Sequence, residues 1–316
     1  MASGSKVVVY AALAGNLAIA AAKLVAFVLT GSSAMLTEAI HSLVDTGNQG
    51  LLLFGLSRAA RPPDQAHPFG HGMELYFWSF VVALLIFTMG GAVSIYEGVH
   101  KIQHPQVIQQ AWVNFVVLGV AVLFEGSSFA IALREFNLVR RTSGLLLSIR
   151  RSKDPSIFAV LLEDGAALAG LVVALLGVGV AVFLHIPQAD GVASVVIGVM
   201  LILVAAFLAN ETRSLLTGEA ASPRVVSAVR TLLEGDPRVE AVAEVLTMHL
   251  GPQEILLGVT LDLRDDVSAG ELEGFAIDLT QAIKQVDDRI TRVFLRPRPL
   301  PQTGFAPVET TYSDEA

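Results

Sequence analysis

Apolar residues run in long blocks through the first two thirds of the chain, and polar residues gather in short connections between them. A membrane-spanning helix needs about 20 mainly apolar residues. Six segments meet that criterion, at roughly 7–29, 33–57, 75–98, 111–133, 157–184 and 189–210. The connections TGSS, after the first, and HIPQAD, after the fifth, are short enough to predict antiparallel helix hairpins. Past Asn210 the charges recur regularly and the apolar runs shorten, which predicts a separate domain over 211–297 and a Pro-rich, polar tail over 298–316. In that domain SPRVVSAVRTLLEGD places Val225, Val226, Val229, Leu232 and Leu233 at the spacing of an amphipathic helix. AVAEVLTMHL and EILLGVTLDL read as strands about a turn at Gly251-Pro252. VSAGELEGFAIDLTQAIKQV predicts a second helix, opened by a capping box of Ser268 and Glu271, and RITRVFLRP a closing strand. The expected architecture is a membrane all-α bundle of six transmembrane helices over 1–210 plus a small α+β domain of order α-β-β-α-β. That domain is sized for dimerisation or sensing rather than catalysis.

The second predicted span breaks the apolar rule. Glu38, His41, Asp45 and Asn48 are spaced by three, four and three residues, so a helix gathers them into one stripe. Ionisable groups at membrane depth mark a pathway, a relay or an ion site, and the alternative is a set of interhelical hydrogen bonds. A row that includes His and Asp one turn apart favours the site. Imidazole and carboxylate together suit divalent first-row metals, and ligands at i and i+4 converge on one ion. Zinc usually takes about four ligands, so a second helix must contribute. LLEDGAALAG in the fifth span offers Glu163 and Asp164, which point about 100° apart, so one of them is expected to face His41 directly. Such ligands must be deprotonated to bind metal, so the site would exchange protons for metal. Asn16 and Lys23 in the first span and Glu125 in the fourth add further polar groups. Glu125 reads equally as an auxiliary proton site or as a partner of Lys23 or of a backbone group. In the connection DQAHPFGHG, Asp64, His67 and His71 have the spacing of a small metal site, against incidental histidines beside a Pro-Gly turn.

Composition narrows the class. With 53% hydrophobic and 16% charged residues and a mean hydropathy of +0.62, the chain falls among membrane proteins. A net charge of −8 argues against a nucleic-acid partner, and the absence of cysteine excludes disulfides, thiolate metal ligands and cysteine nucleophiles. Lys6, Arg58, Arg61, Arg134, Arg140, Arg141, Arg150, Arg151, Lys153 and Arg213 all fall on one side of the predicted topology, and Lys101 alone on the other. Short-loop basic residues mark the cytoplasmic face. The expectation is a multi-pass protein of the cytoplasmic (inner) membrane with both termini cytoplasmic.

Together SSAMLTEAIHSLVD, HPFGHG and DPSIFAVLLEDGAALAG make the chain resemble the cation diffusion facilitator family over nearly its whole length. The resemblance implies a homodimeric, proton-coupled exporter of divalent metals with a metallochaperone-like C-terminal domain. It also implies a transport site of His41 and Asp45 from the second helix and Asp164 from the fifth. Where the family has His or Asp, four residues before Asp164, this chain has Val160. That leaves either three protein ligands plus water or a substitute, Glu163 or Asn48. The loop site of bacterial zinc exporters in the family is matched by Asp64, His67 and His71. Ala243, Phe294 and Arg296 stand where zinc-exporting relatives carry metal ligands, and His249 is the domain's only histidine. The resemblance therefore implies dimerisation without a zinc cluster there. The function expected is an antiporter moving Zn²⁺, or Fe²⁺, Co²⁺, Ni²⁺ or Mn²⁺, out of the cytoplasm against protons, with no resident cofactor. His41 is the expected proton carrier, since imidazole titrates near neutral pH. The alternative is a non-transporting metal sensor or regulatory subunit of the same fold. An intramembrane metalloenzyme would need a motif such as H-E-x-x-H, which the sequence lacks.

Overall fold

The computed structural model describes residues 3–30, 33–105, 111–139, 148–149 and 152–298. It divides into two compact units, one of residues 1–62 and 73–214, the other of residues 63–72 and 215–316. The connection carrying Asp64, His67 and His71 thus belongs to the second unit, although the sequence places it between two spans of the first. The polar tail from 299 onward lies outside the described residues, as do Arg140, Arg141, Arg150 and Arg151 of the predicted basic face.

Among the described residues the elements of the first unit are helices: α1 (Ser3–Thr30), α2 (Ser33–Ala59), α3 (Glu74–Leu85), a π-helical segment (Ile86–Ala92), α4 (Val93–Gln103), α5 (Ala111–Val139), α6 (Pro155–Phe183) and α7 (Gln188–Leu216). Among the described residues five helical stretches are long and apolar enough to cross a membrane: Lys6–Val25, Glu74–Gln103, Phe115–Leu138, Pro155–Phe183 and Gln188–Leu216. Six were expected. The difference is α2, whose 27 residues span about 40 Å at 1.5 Å each but whose apolar run is broken by Asp45, Thr46, Asn48 and Gln49. Local chemistry fixes where α6 begins. The Asp154 carboxylate accepts a hydrogen bond from Ser156 N at 3.1 Å, and Pro155 occupies the first turn, where its missing N–H costs nothing.

The α3–α4 rod and α7 meet through glycine. Gly91 and Gly98 lie two turns apart, as do Gly191 and Gly198, and the pairs face each other in antiparallel order. A Cβ on Gly98 would stand 2.7 Å from the Gly191 carbonyl oxygen, one on Gly191 2.8 Å from the Gly98 oxygen, and one on Gly198 2.8 Å from the Gly91 oxygen. Lipid tails are as apolar as leucine, so helices in a bilayer gain most where small residues let backbones touch. The π-helical segment contains Gly90 and Gly91, so the widened turn and the seam share residues. Such insertions often occur at functional sites.

The second unit is a three-stranded sheet of order β1 (Val239–Gly251), β2 (Glu254–Leu263), β3 (Ile290–Pro297), with β1–β2 antiparallel and β2–β3 parallel. Helix α8 (Pro223–Glu234) precedes β1, and α9 (Ala269–Val286) makes the crossover from β2 to β3. Alternation along β2 buries Ile255, Leu257, Val259 and Leu261 against Val225, Val229 and Leu233 of α8 and Phe275, Leu279 and Ile283 of α9. The capping box opens α9: Glu271 N donates to Ser268 Oγ at 3.3 Å, and Ser268 N donates to Glu271 Oε2 at 2.8 Å. On the other face Leu246, Gly258 and Phe294 lie in one cross-strand row.

The seam gives a direct test. Gly191→Leu forces the backbones apart, and overpacking of this kind costs about 1–3 kcal/mol. The detergent-solubilised protein should melt several degrees lower than wild type. Gly179→Ala, where nothing lies within 4 Å of the added carbon, should melt unchanged. Equal melting of the two variants would show that the seam carries no packing energy.

Candidate metal centre

The polar residues of α2 meet acids from three other helices at one cavity. This space of about 480 Å³ is lined by Asn16 and Lys23 of α1, Ser42, Asp45 and Asn48 of α2, Glu125 of α5, and Glu163 and Asp164 of α6. Ile86, Met89 and Gly90 of the π-helical segment close its apolar side, and it extends past Glu97 to Lys101.

Glu163 and Asp164 are both buried, and their 100° separation on α6 sends them to different partners. Asn48 Nδ2 donates to Glu163 Oε1 at 3.2 Å and Gln49 Nε2 donates to Glu163 Oε2 at 2.7 Å, so α2 holds both carboxylate oxygens. Ser128 Oγ of α5 donates to Asp164 Oδ2 at 2.5 Å. Lys23 Nζ donates to Ser42 Oγ at 2.9 Å, placing an ammonium beside the α2 stripe. The carbonyl oxygens Asn48 Oδ1 and Gln49 Oε1 are buried with no hydrogen-bond partner. A buried polar atom left unsatisfied costs about 1–3 kcal/mol, and a cation or a protonated carboxyl group would relieve it. Carboxylates and an amide supply oxygen donors for a divalent cation at this cavity.

Of the residues expected from sequence, Asp45, Asn48, Glu163 and Asp164 come together on this cavity wall. Helix α2 includes His41, but its side chain, like that of Glu38, lies outside the described residues. Both α6 acids line the cavity; which of them faces His41, as one was expected to, lies outside the described residues. Val160 is fully buried in the apolar face of α6 and offers no donor. Sequence reasoning missed three contributors: Gln49, Ser42 and Ser128. Gln49 was visible as a second amide in GNQG, and Ser128 as the residue three after Glu125 in EGSS, the next position on that helix face.

The second cluster is in the second unit. One ligand atom from each of Asp64, His67 and His71 lies within 4.8 Å of the others. His71 Nε2 is 3.1 Å from Asp64 Oδ2, His67 Nδ1 is 3.3 Å from Asp64 Oδ1, and the two rings lie 4.3 Å apart. The His67 backbone N–H, donating to Asp64 Oδ1 at 2.7 Å, is the main cause holding the Asp64 carboxyl below the usual carboxylate range, and the two imidazoles add to it. His71 Nδ1 is buried without a partner. The loop is docked on the sheet. Arg292 Nη2 donates to the Pro68 carbonyl at 3.3 Å, its guanidinium lies 5.4 Å from the Phe69 ring centre, and Phe69 meets Phe294 edge-on at 6.4 Å. Gly70 adopts φ +93°, a conformation open to glycine at no steric cost. In this sheet Phe294 packs on the loop, at a position where the resemblance placed a metal ligand in zinc-exporting relatives. His249 is buried at the end of β1, with Nδ1 3.4 Å from the Gly251 carbonyl oxygen.

A family model described as the cation efflux transmembrane domain matches residues 9–217. Over 268 residues the chain is 36% identical to the mitochondrial proton-coupled zinc antiporter SLC30A9 of Xenopus laevis, covering 84% of this chain and 48% of that one. It is 32% identical over 235 residues to metal tolerance protein C4 of Arabidopsis thaliana, covering 74% and 51%. A 99-residue stretch is 31% identical to the magnetosome protein MamM of Magnetospirillum gryphiswaldense, covering 29% and 30%. The chain thus spans about half the length of the first two of these relatives.

The α2–α6 clamp is testable by stability alone. Gln49→Leu removes the donor to Glu163 Oε2 and should lower unfolding stability by about 1–3 kcal/mol, read as a fall in melting temperature of the solubilised protein. An unchanged melting temperature would mean that the clamp contributes nothing to holding α2 on α6.

Proposed function

This chain belongs to the cation efflux family, and from that premise we propose that it is a proton-coupled antiporter carrying a divalent transition-metal ion, zinc first among them, out of the cytoplasm. The observation that carries the proposal is the single cavity at which Asp45 and Asn48 of α2 meet Glu163 and Asp164 of α6. In this reading α2 is the sixth membrane span, its polar row tolerated because it faces the cavity and neighbouring helices rather than lipid. His41, Asp45 and Asp164 hold the ion. Asn48 takes the place that Val160 leaves, an assignment supported by its unsatisfied Oδ1. The name borne by the SLC30A9 relative supports both zinc and proton coupling.

The chemistry of exchange follows from the ligand types. Imidazole and carboxylate bind a metal only when deprotonated, so metal entry displaces protons and protonation from the opposite side drives metal release. Two copies pairing through the second unit, with both termini on the cytoplasmic side, complete the proposal. The Asp64–His67–His71 cluster is a second metal position in that unit.

Purified protein in liposomes with an imposed pH gradient tests this reading. Zinc flux should depend on the gradient, and Asp45→Asn should lower it more than tenfold while the protein stays folded. Undiminished flux in Asp45→Asn would overturn the site assignment. Zinc binding by wild type without gradient-driven flux would favour the sensor instead.

A further inference from the structure

Among the described residues two cations, Lys23 and Lys101, line the cavity, and they are held differently. Lys101 is partly exposed and donates to Asp190 Oδ2 of α7 at 2.9 Å, so a carboxylate of its own answers its charge. Lys23 is buried, and its Nζ donates to Ser42 Oγ at 2.9 Å, from α1 to α2. The sequence explains that placement. Asn16, Ile19 and Lys23 line the cavity at intervals of three and four residues, which is one face of α1. Ser42, Asp45 and Asn48 line it from α2 at intervals of three. Asp45 is thus the next position along that face from Ser42, and such neighbours hold their Cβ atoms about 5–6 Å apart. The Lys23 ammonium is also within Coulombic range of Glu125 on α5.

A serine hydroxyl is a neutral acceptor. It orients the ammonium without balancing its charge, and a buried charge left unbalanced costs several kcal/mol. The balance comes from acids lining the same space, Asp45 and Glu125 above all, since α2 amides hold both oxygens of Glu163 and Ser128 holds Asp164. The converse also holds: any divalent ion at Asp45 meets a fixed positive charge nearby. An ammonium about 6 Å from such an ion opposes its binding about tenfold even at the dielectric of water. Ser42 matters because lysine has a long, flexible stem. Tied to Ser42, the ammonium stands beside Asp45. Released, it could swing onto Asp45 and occupy the place of the ion itself.

We propose that Lys23 sets the affinity of the transport cavity: its ammonium, tethered at Ser42, offsets part of the charge of the acids and keeps a divalent ion bound weakly enough to leave. A carrier must release its ion in every cycle, and a wall of acids with no cation among them would hold it too long. Lys23 touches no ion in this scheme. It acts through Asp45 and Glu125, and Ser42 is the positioning residue that keeps it off them. The role deepens the transport reading and rests on it.

Zinc titration calorimetry on the full chain in lipid nanodiscs tests this, the cavity component being the one that Asp45→Asn removes. Lys23→Met should bind zinc at that component about tenfold more tightly than wild type, and Lys23→Arg should stay closer to wild type than Lys23→Met does. Ser42→Ala should shift the other way, to severalfold weaker binding. In liposomes under a fixed pH gradient, Lys23→Met should lower KM for zinc and lower kcat with it, because a tighter ion leaves more slowly. A purely structural tie between α1 and α2 would lower the melting temperature and leave cavity affinity unchanged or weaker, and either result in Lys23→Met overturns the proposal. Should Lys23→Met fail to fold, Ser42→Ala decides, and unchanged or tighter binding there overturns it equally. The two readings fail separately. No zinc component removed by Asp45→Asn would overturn the transport site and this role together, whereas such a component with unchanged affinity in Lys23→Met overturns this role alone.

Discussion

Five acidic side chains, Asp45, Glu97, Glu125, Glu163 and Asp164, line one cavity of a largely apolar bundle. Taking a carboxylate out of water costs several kcal/mol even after the surroundings relax, so each acid constrains whatever packs beside it. The answering groups come from neighbouring helices. Amides of α2 hold Glu163, a serine of α5 holds Asp164, and the Lys23 ammonium of α1 lies within Coulombic range of Glu125. Apolar contact alone distinguishes poorly between a helix and a lipid tail. Polar demand therefore does much of the work of choosing which helices face one another here, and it draws α1, α2, α5 and α6 around the same space.

The second unit solves a different problem. Its sheet buries one face under α8 and α9, and part of the other face receives the HPFGHG loop through Arg292 and Phe294 of β3. A phenylalanine and an arginine on this strand offer no metal ligand, but they grip a loop that offers three. Side-chain geometry at Asp64, His67 and His71 is thereby set by the strand as well as by the loop's own hydrogen bonds. Arg292 and Phe294 of β3 and the Asp64, His67 and His71 side chains of the loop are parts of one arrangement.

Much of this was legible in the sequence because period and polarity report directly on environment. The helices of the bundle, the β-β-α-β order with its capping box, and the α2 row of Asp45 and Asn48 all follow from spacing. The partners were harder to see. Gln49 and Ser128 are ordinary polar residues whose importance comes from which atom of Glu163 or Asp164 they reach, and a one-dimensional pattern carries no such distance. The docking of the loop on β3 joins residues 69 and 294, a separation over which periodicity says nothing. The π-helical turn was likewise hidden, since IFTMGGA is compatible with continuous α-helix.

The two kinds of helix contact in the bundle differ in what can replace them. Where α7 meets α3–α4, glycine backbones touch at distances that leave no room for another atom, and nothing in solution can substitute for that contact. Where α2 meets α6, the contact is made by amides donating to a carboxylate, and the same amides present unsatisfied oxygens. A proton on Glu163 or a cation in the cavity changes that balance directly, by removing an acceptor or supplying a charge to the free oxygens. The proposed transport cycle therefore needs no special hinge to couple ion binding to helix position. In the proposed cycle, the contact that the ion and the proton compete to remake is the one between α2 and α6.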